Sequence, residues 1–267
     1  MGIPAFFNYS AAMHDPWFYC PGLQAGRVAL EDAEARHALQ TLRLRAGAAI
    51  TLFDGCGRIA RAAVLEQDDA VRPGPQTAAR RRQARGAVVH VERVQQIEPA
   101  SSTLTLVLAP CKGERLDWAI EKCTELGVGR IVLAHFERSV VRAGPQHLAR
   151  LQRTAVAACK QCRRAWLPHF AAGVSLEDLL AAETPAALLA AHPADEAPGF
   201  AEWLATQWPI FGELIVVIGP EGGLSDGELQ RIAAAGGKPV RLARNILRVE
   251  TAVLSVAAVW AAREISG

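Results

Sequence analysis

The second half of the chain alternates short apolar runs with stretches in which apolar residues recur at helical spacing. The runs that have the length and the β-branched or leucine-rich character of strands are residues 104–108, 131–134, 186–191, 214–218 and 238–242. Helical spacing predicts helices at residues 113–126, 146–163, 225–236 and 252–263, and a short helix around Trp203 in the loop 193–209. Such alternation predicts an α/β fold, in which helices cover both faces of a mostly parallel sheet.

The first part of the chain has a different pattern, which predicts a small β-rich domain. Residues 49–53 and 58–64 flank the turn residues 54–57, and this arrangement is typical of a β-hairpin. The amphipathic segment 31–44 predicts a helix and its exit, while alternation over residues 87–94 predicts a returning strand.

A length of 267 residues suits one large domain or two ordinary ones. The polar, proline-containing segment 97–102 separates the β-rich pattern from the alternating one. We therefore predict a first domain of residues 1–98 and a second domain of residues 99–267.

The strand at 214–218 ends in Gly219-Pro220-Glu221-Gly222-Gly223, which neither continues a strand nor starts a regular helix. Ser225 and Glu228 then form a predicted capping box that opens the next helix. Open α/β sheets bind ligands at the carboxyl ends of their strands, and glycine lets a ligand approach the backbone closely. The pattern alone is equally typical of a plain tight turn.

Composition favours a globular protein of the cytoplasm. The longest apolar runs fall short of the roughly 18 residues that a membrane span needs, and the amino end lacks the features of a signal peptide. The six cysteines are widely spaced apart from Cys159 and Cys162, so we expect reduced thiols. One C-x-x-C pair without a second ligand pair indicates a turn of helix with two small buried residues and no metal site.

The net charge of +2 does not by itself indicate a nucleic-acid partner, but the charges are unevenly distributed along the chain. Arginines 72, 80, 81, 82 and 85 lie in a stretch with proline and glycine and without acidic residues. A solvated loop explains this composition, and its charge would also attract RNA phosphates. We predict that Arg80, Arg81 and Arg82 contact RNA.

The sequence offers less support for other functional classes. Gly223-Leu224-Ser225-Asp226-Gly227 matches the G-x-S-x-G pattern of serine hydrolases, but no histidine follows Ser225, and the capping box explains that serine. Dinucleotide-binding and P-loop motifs are lacking. A non-catalytic RNA-binding protein stays open, since the basic loop would serve it equally well.

Several separated blocks resemble the RsmE family of SPOUT methyltransferases. They are residues 219–225, 246–252, 112–128, 157–168 and, in the first domain, 36–55. Lys160 and Arg163 stand where the family has glutamate and glycine. The resemblance implies a trefoil-knotted SPOUT domain, a PUA-like β-barrel at residues 1–98, a homodimer, and methylation of N3 of a uridine in 16S ribosomal RNA within the small ribosomal subunit, with S-adenosylmethionine as donor.

The resemblance also implies roles for individual residues. Those implied to hold the cofactor are Leu189, Gly219, Gly223, Leu242, Ile246 and Leu247, through backbone groups, together with Glu221, Gly222 and Thr251. Arg248, Glu250 and Arg138 are the implied catalytic residues, because a cation would stabilise the developing uridinate and a carboxylate could take its proton. Amino-terminal capping of the last helix explains Glu250 and Thr251 equally well. Arg36, Arg43 and Arg164 are the further RNA contacts.

Overall fold

The computed structural model describes residues 15–65, 87–111, 113–182, 185–208 and 212–266. Contacts divide the chain between Pro99 and Ala100 into two compact units, and residues 163–166 belong with the first unit.

The first unit contains one five-stranded sheet in the order β1-β3-β4-β5-β2. Its strands are β1 (Trp17–Tyr19), β2 (Gly26–Ala29), β3 (Ala49–Phe53), β4 (Arg58–Val64) and β5 (Val88–Gln96). The predicted hairpin is confirmed with its bounds, since β3 and β4 pair antiparallel from Ala49 with Ala63 to Phe53 with Ile59. Alternate residues of β4 are buried, as expected for a sheet with one face on a core.

The predicted helix at 31–44 is shorter and less regular than its pattern suggests. It consists of α1 (Asp32–Arg36) and a π-helical turn (His37–Thr41), after which Arg43 adopts a left-handed φ of 53°. Ala35 and Ala38 are the residues of this segment that the core of the unit buries completely. The arginine-rich stretch with Arg80, Arg81 and Arg82 lies outside the described residues.

The second unit contains one six-stranded sheet in the order β11-β9-β10-β6-β7-β8, and every neighbouring pair is parallel. Its strands are β6 (Ser102–Leu108), β7 (Arg130–His135), β8 (His169–Ser175), β9 (Ala187–Ala191), β10 (Gly212–Ile218) and β11 (Lys238–Val240). The predicted α/β fold with a mostly parallel sheet is therefore confirmed.

Helices follow most of these strands, because parallel neighbours in a sheet need crossover connections. They are α2 (Glu114–Glu125), a 3-10 turn (Pro145–His147) leading into α3 (Leu148–Cys162), α4 (Leu176–Ala182), α5 (Phe200–Gln207), α6 (Asp226–Ala234) and α7 (Val249–Ser266). Leu116, Ile120 and Cys123 are buried on one face of α2, and Gly127 follows the helix with a φ of 84°, as predicted.

The sheet of the second unit buries both of its faces. Leu214, Val216 and Ile218 of β10 join a cluster that contains α2, α3, α5 and α7. Ile215 and Val217 join a second cluster with residues of α4 and α6. Because side chains alternate along a strand, an uninterrupted apolar run such as β10 is what a strand between two layers of helices needs.

Two features of this unit differ from the pattern. Strand β8 and helix α4 were not predicted, because His169–Ser175 is a half-buried edge strand built largely from small residues. Helix α7 begins at Val249, three residues before the predicted start at Ala252. Glu250 and Thr251 therefore lie in its first turn, where the helix dipole favours an acidic side chain.

Candidate functional site

The carboxyl ends of β9, β10 and β11 lie side by side, because these strands are neighbours and run parallel. A cavity of about 310 Å³ opens at this edge of the sheet. It is lined by residues 191–193, 218–224, 242, 243, 245–247, 249 and 252 together with Arg138. The position is where open parallel sheets bind their ligands.

The glycine turn 219–223 forms one wall of the cavity. Gly223 donates its N–H to the carbonyl of Pro220 at 2.8 Å and has a φ of 73°, a left-handed conformation that favours glycine. A Cβ atom on Gly219 would lie 3.0 Å from both the backbone nitrogen and the side chain of Leu224. Glycine at these positions keeps the turn tight and its backbone open to a ligand.

Arg138, which lies beyond the carboxyl end of β7, reaches the same wall. Its Nη1 atom donates a hydrogen bond to the carbonyl of Gly222 at 2.8 Å. The Cβ and Cδ atoms of Arg138 lie 3.4 Å from the place where a Cβ of Gly222 would stand. The arginine side chain is therefore packed along the glycine turn.

The predicted capping box at the start of α6 is confirmed. Glu228 donates its N–H to the Ser225 hydroxyl at 3.3 Å, and Ser225 donates its N–H to Oε2 of Glu228 at 2.7 Å. The other carboxylate oxygen of Glu228 accepts the N–H of Glu137 at 2.8 Å. Because Ser225 is buried and engaged in this cap, its hydroxyl is not placed as the nucleophile of a hydrolase.

The opposite wall is the segment 242–247, which follows β11. Arg241 fixes the start of this segment: its backbone bonds to Pro198 and Phe200 at 2.9 and 2.8 Å, and its Nε atom donates to the carbonyl of Ala197 at 3.0 Å. Ile246 near the end of the segment is 88% exposed.

The structure brings most of the predicted cofactor residues together. The predicted residues that line the cavity are Gly219, Glu221, Gly222, Gly223, Leu242, Ile246, Leu247 and Arg138. Leu189 does not line it, because it lies inside β9 and is paired there with Val216 of β10 and Lys238 of β11. Arg248 and Thr251 are exposed and Glu250 is buried beside the cavity, but these three are not among the lining residues.

The predicted RNA contacts of the described residues lie in the first unit. Arg36 and Arg43 are exposed, and Arg36 donates from Nε to the carbonyl of Asp32 at 3.2 Å. Arg164 is half-buried. Their roles stay predictions.

Ten lining residues were not among the predicted site residues: Ala191, His192, Pro193, Ile218, Pro220, Leu224, Ala243, Asn245, Val249 and Ala252. Ala191 is the last residue of β9, and His192 and Pro193 follow it directly. His192 donates its N–H to the carbonyl of Val240 at 3.0 Å. The rule that ligands bind beyond the carboxyl ends of parallel strands would have pointed to them, had β9 been predicted as a neighbour of β10.

The lining suits a ligand that carries little net charge. Arg138 and Glu221 are its cationic and anionic residues, and backbone, glycine and aliphatic groups form the remainder apart from His192 and Asn245. A polyphosphate would require more cations or a glycine-rich helix start directed at it. Groups of three or more histidine, cysteine or acidic residues with metal-site geometry are absent from the described residues, and none of the described helices is long and apolar enough to cross a membrane.

Comparison with known proteins agrees with this geometry. A family model described as an RNA methyltransferase domain matches residues 98–261. The ribosomal RNA small subunit methyltransferase E of Mycobacterium bovis is 31% identical over 250 residues, which cover 88% of this chain and 87% of that protein. Its counterpart from Synechocystis is 29% identical over 229 residues, which cover 84% of this chain and 69% of the relative.

A solved structure extends the similarity to the fold. The crystal structure of ribosomal RNA small subunit methyltransferase E from Neisseria gonorrhoeae, bound to S-adenosyl methionine, aligns with a TM-score of 0.75 and 30% identity. The alignment covers 94% of this chain and 98% of that one. Fold and family model thus define an RNA methyltransferase. More narrowly, the chain belongs to the ribosomal RNA small subunit methyltransferase E family.

Proposed function

We propose that this protein transfers the methyl group of S-adenosylmethionine to N3 of a uridine in 16S ribosomal RNA. The observation that carries the proposal is the cavity between the glycine turn and the segment 242–247. It lies in a chain whose relative from Neisseria gonorrhoeae was solved with S-adenosyl methionine. Family membership supplies the reaction class, and the cavity supplies a place for the donor.

The residues of the cavity fit this donor. Adenosine is neutral and largely flat, which suits a pocket of backbone and aliphatic groups such as Leu242 and Leu247. The amino acid part carries a carboxylate and an ammonium group, and Arg138 and Glu221 offer opposite charges at the same wall. Apart from Gly223 itself and its two chain neighbours, no atom of the described residues lies within 4 Å of the place where a Cβ of Gly223 would stand, so a ligand can approach the backbone closely there.

The sulfonium of the donor supplies an activated methyl group, and N3 of uridine must lose its proton to accept it. The nitrogen forms the new bond to carbon, the sulfur keeps the electron pair of the broken bond, and the N3 proton passes to a base or to water. We propose that Arg248 stabilises the negative charge that develops on the uracil ring. Arg138 orients the donor through the turn that it binds at Gly222.

Finer features of the fold belong to the same proposal. We infer that residues 1–98 form a PUA-like barrel that binds RNA. The five-stranded sheet supports the barrel, and the exposed residues Arg36 and Arg43 support the contact with RNA. We infer that residues 99–267 form a SPOUT domain in which residues 219–225 and 246–252 belong to a trefoil knot. A homodimer is consistent with the exposed apolar residues Trp118, Val140 and Ile246.

The test combines binding and product analysis. Calorimetric titration of the purified protein with S-adenosylmethionine should give a saturable signal, and S-adenosylhomocysteine should compete. Incubation with small ribosomal subunits from a strain that lacks the gene should then yield N3-methyluridine, located by mass spectrometry of 16S fragments. RNA binding without uptake of the donor would instead indicate a non-catalytic RNA-binding protein, and methyl transfer to another base would reject the uridine assignment.

A further inference from the structure

Glu228 makes a contact that a helix cap does not require. The residue is 2% exposed, and its two carboxylate oxygens have different partners. Oε2 accepts the N–H of Ser225, which completes the capping box, while Oε1 accepts the N–H of Glu137 at 2.8 Å. Glu137 is 91 residues away in sequence and follows β7, so the second bond joins two separate loops.

The loop of Glu137 also carries Arg138, whose guanidinium binds the carbonyl of Gly222. The loop after β7 is therefore bonded at two points to the chain that follows β10. Arg138 binds the glycine turn at Gly222, and Glu137 binds Glu228 in the first turn of α6. Strand β6 separates β7 from β10 in the sheet, so the ladder hydrogen bonds of the sheet do not join these two loops directly. The two side-chain contacts hold them together across the intervening strand.

We propose that Glu228 is a positioning residue of the cofactor site, which holds the Arg138 loop against the glycine turn so that both form one wall. A buried carboxylate is costly unless its oxygens are paired, and here both oxygens accept backbone N–H groups. The inference rests on the proposed function only in naming S-adenosylmethionine as the ligand of that wall.

The decisive variant is Glu228→Gln. A glutamine side chain has one acceptor oxygen and one amide nitrogen, so only one of the two backbone N–H groups can keep its acceptor. The other N–H then faces a donor, which is unfavourable in a buried position. Ser225→Ala removes the hydroxyl of the cap and leaves the Glu137 bond intact. Asp178→Asn is the matched control, since Asp178 bonds to Ser175 at the exposed start of α4, away from the cavity.

Hydrogen exchange tests the positioning role without any ligand. We expect Glu228→Gln to speed amide exchange both in residues 136–139 and in the glycine turn, whereas Ser225→Ala speeds exchange only near the start of α6. Asp178→Asn should change neither segment. Unchanged exchange at 136–139 in Glu228→Gln would overturn the proposal, whether or not the protein binds S-adenosylmethionine.

Titration with S-adenosylmethionine then tests the consequence for the site. Glu228→Gln should raise Kd about tenfold, and the double variant with Arg138→Ala should bind no more weakly than the weaker single variant, because Glu228 affects the ligand through the position of the loop that carries Arg138. The proposal would be overturned if the fold-increases in Kd of the two single variants multiplied in the double variant, or if Glu228→Gln bound with the wild-type Kd. A wild-type protein that takes up no S-adenosylmethionine would reject the proposed function, while the exchange result would still decide the role of Glu228.

Discussion

The Nε atom of Arg115 lies 3.8 Å from Oε1 of Glu250, an ion pair that links α2 to the first turn of α7. Glu250 is only 9% exposed, and its Oε2 atom has no hydrogen-bond partner among the described residues. The carboxylate also contributes, after burial itself, to the raised pKa of the Cys111 thiol. These neighbours place Glu250 between two helices, beside the cavity and not on its wall.

This placement predicts that Glu250 acts in structure more than in proton transfer. Glu250→Gln should keep turnover within about threefold of the wild type and should not lower Tm, because a neutral amide is cheaper to bury than a carboxylate with an unpaired oxygen. Arg115→Ala should lower the free energy of unfolding by about 0.5–1 kcal/mol, since the pair is long and partly exposed. Methylation assays and thermal unfolding measure both. A loss of turnover of about 100-fold in Glu250→Gln, with unchanged Tm, would make Glu250 the base.

Arg248 is exposed next to the lining residue Leu247 and is not part of the cavity wall. Arg248→Ala should therefore leave the Kd of S-adenosylmethionine unchanged while lowering kcat by about 100-fold, the usual effect of removing one group that stabilises developing charge. Arg244→Ala is the matched control, because it removes the same charge from the same exposed segment. Equal losses in the two variants would assign Arg248 to general attraction of RNA phosphates.

The glycines of the turn differ in what a methyl group would meet. Gly219→Ala places Cβ 3.0 Å from the Leu224 nitrogen, which cannot move without the turn. Gly222→Ala places it 3.4 Å from the Arg138 side chain, an ordinary contact. We expect Gly219→Ala to raise the Kd of S-adenosylmethionine at least about tenfold, equivalent to about 1.4 kcal/mol, and Gly222→Ala to raise it far less. Calorimetry measures both values, and equal effects would contradict a steric cause.

Local patterns predicted the local parts of this structure. The hairpin of β3 and β4 follows from alternating residues around a turn, and the Ser225–Glu228 cap follows from spacing within one helical turn. The strand order β11-β9-β10-β6-β7-β8 does not follow from any periodicity, since neighbours in the sheet are distant in sequence. Strand β8 escaped prediction because Ala171, Ala172 and Gly173 lack the β-branched character of a buried strand.

In the candidate site too, the parts formed by one continuous segment were predicted and the contacts between separate segments were not. Its glycine turn is a continuous motif that the residue pattern marks as a candidate site, and the resemblance to the family implied Leu242, Ile246 and Leu247. The contacts that join separate loops were not predicted, such as Glu228 with Glu137 and Arg115 with Glu250. Such pairs depend on how strands and helices pack against one another, and the periodicity of apolar residues in one sequence does not specify that packing.

The buried thiols predict how stability depends on pH. Burial raises the pKa of Cys111 to about 11 and that of Cys123 to about 12, from an ordinary value of 9.0. Below pH 9 both thiols are protonated in the folded and in the unfolded state, so the free energy of unfolding keeps its full value. As the pH rises from 9 toward the folded pKa values, the thiols ionise only in the unfolded chain, and the free energy of unfolding falls. Denaturant unfolding should show a decline of up to about 1 kcal/mol per pH unit for each thiol. Cys111→Ser should decline less steeply, and an identical slope would contradict the burial effect.

Arg163, directly after the last residue of α3, has a left-handed φ of 62°. In the family motif that residues 157–168 resemble, glycine stands at this position, and glycine adopts the left-handed conformation without the cost of about 1–2 kcal/mol that a side chain adds. After allowance for the greater freedom of glycine in the unfolded chain, Arg163→Gly should raise stability by about 0.5–1 kcal/mol. For a protein of this size each 1 kcal/mol corresponds to about 2–4 °C in Tm, measurable by calorimetry. Arg153→Gly, at an exposed position inside the same helix, should lower stability by about 1 kcal/mol. A decrease in Tm for both variants would mean that the Arg163 side chain contributes more through its contacts than its backbone conformation costs.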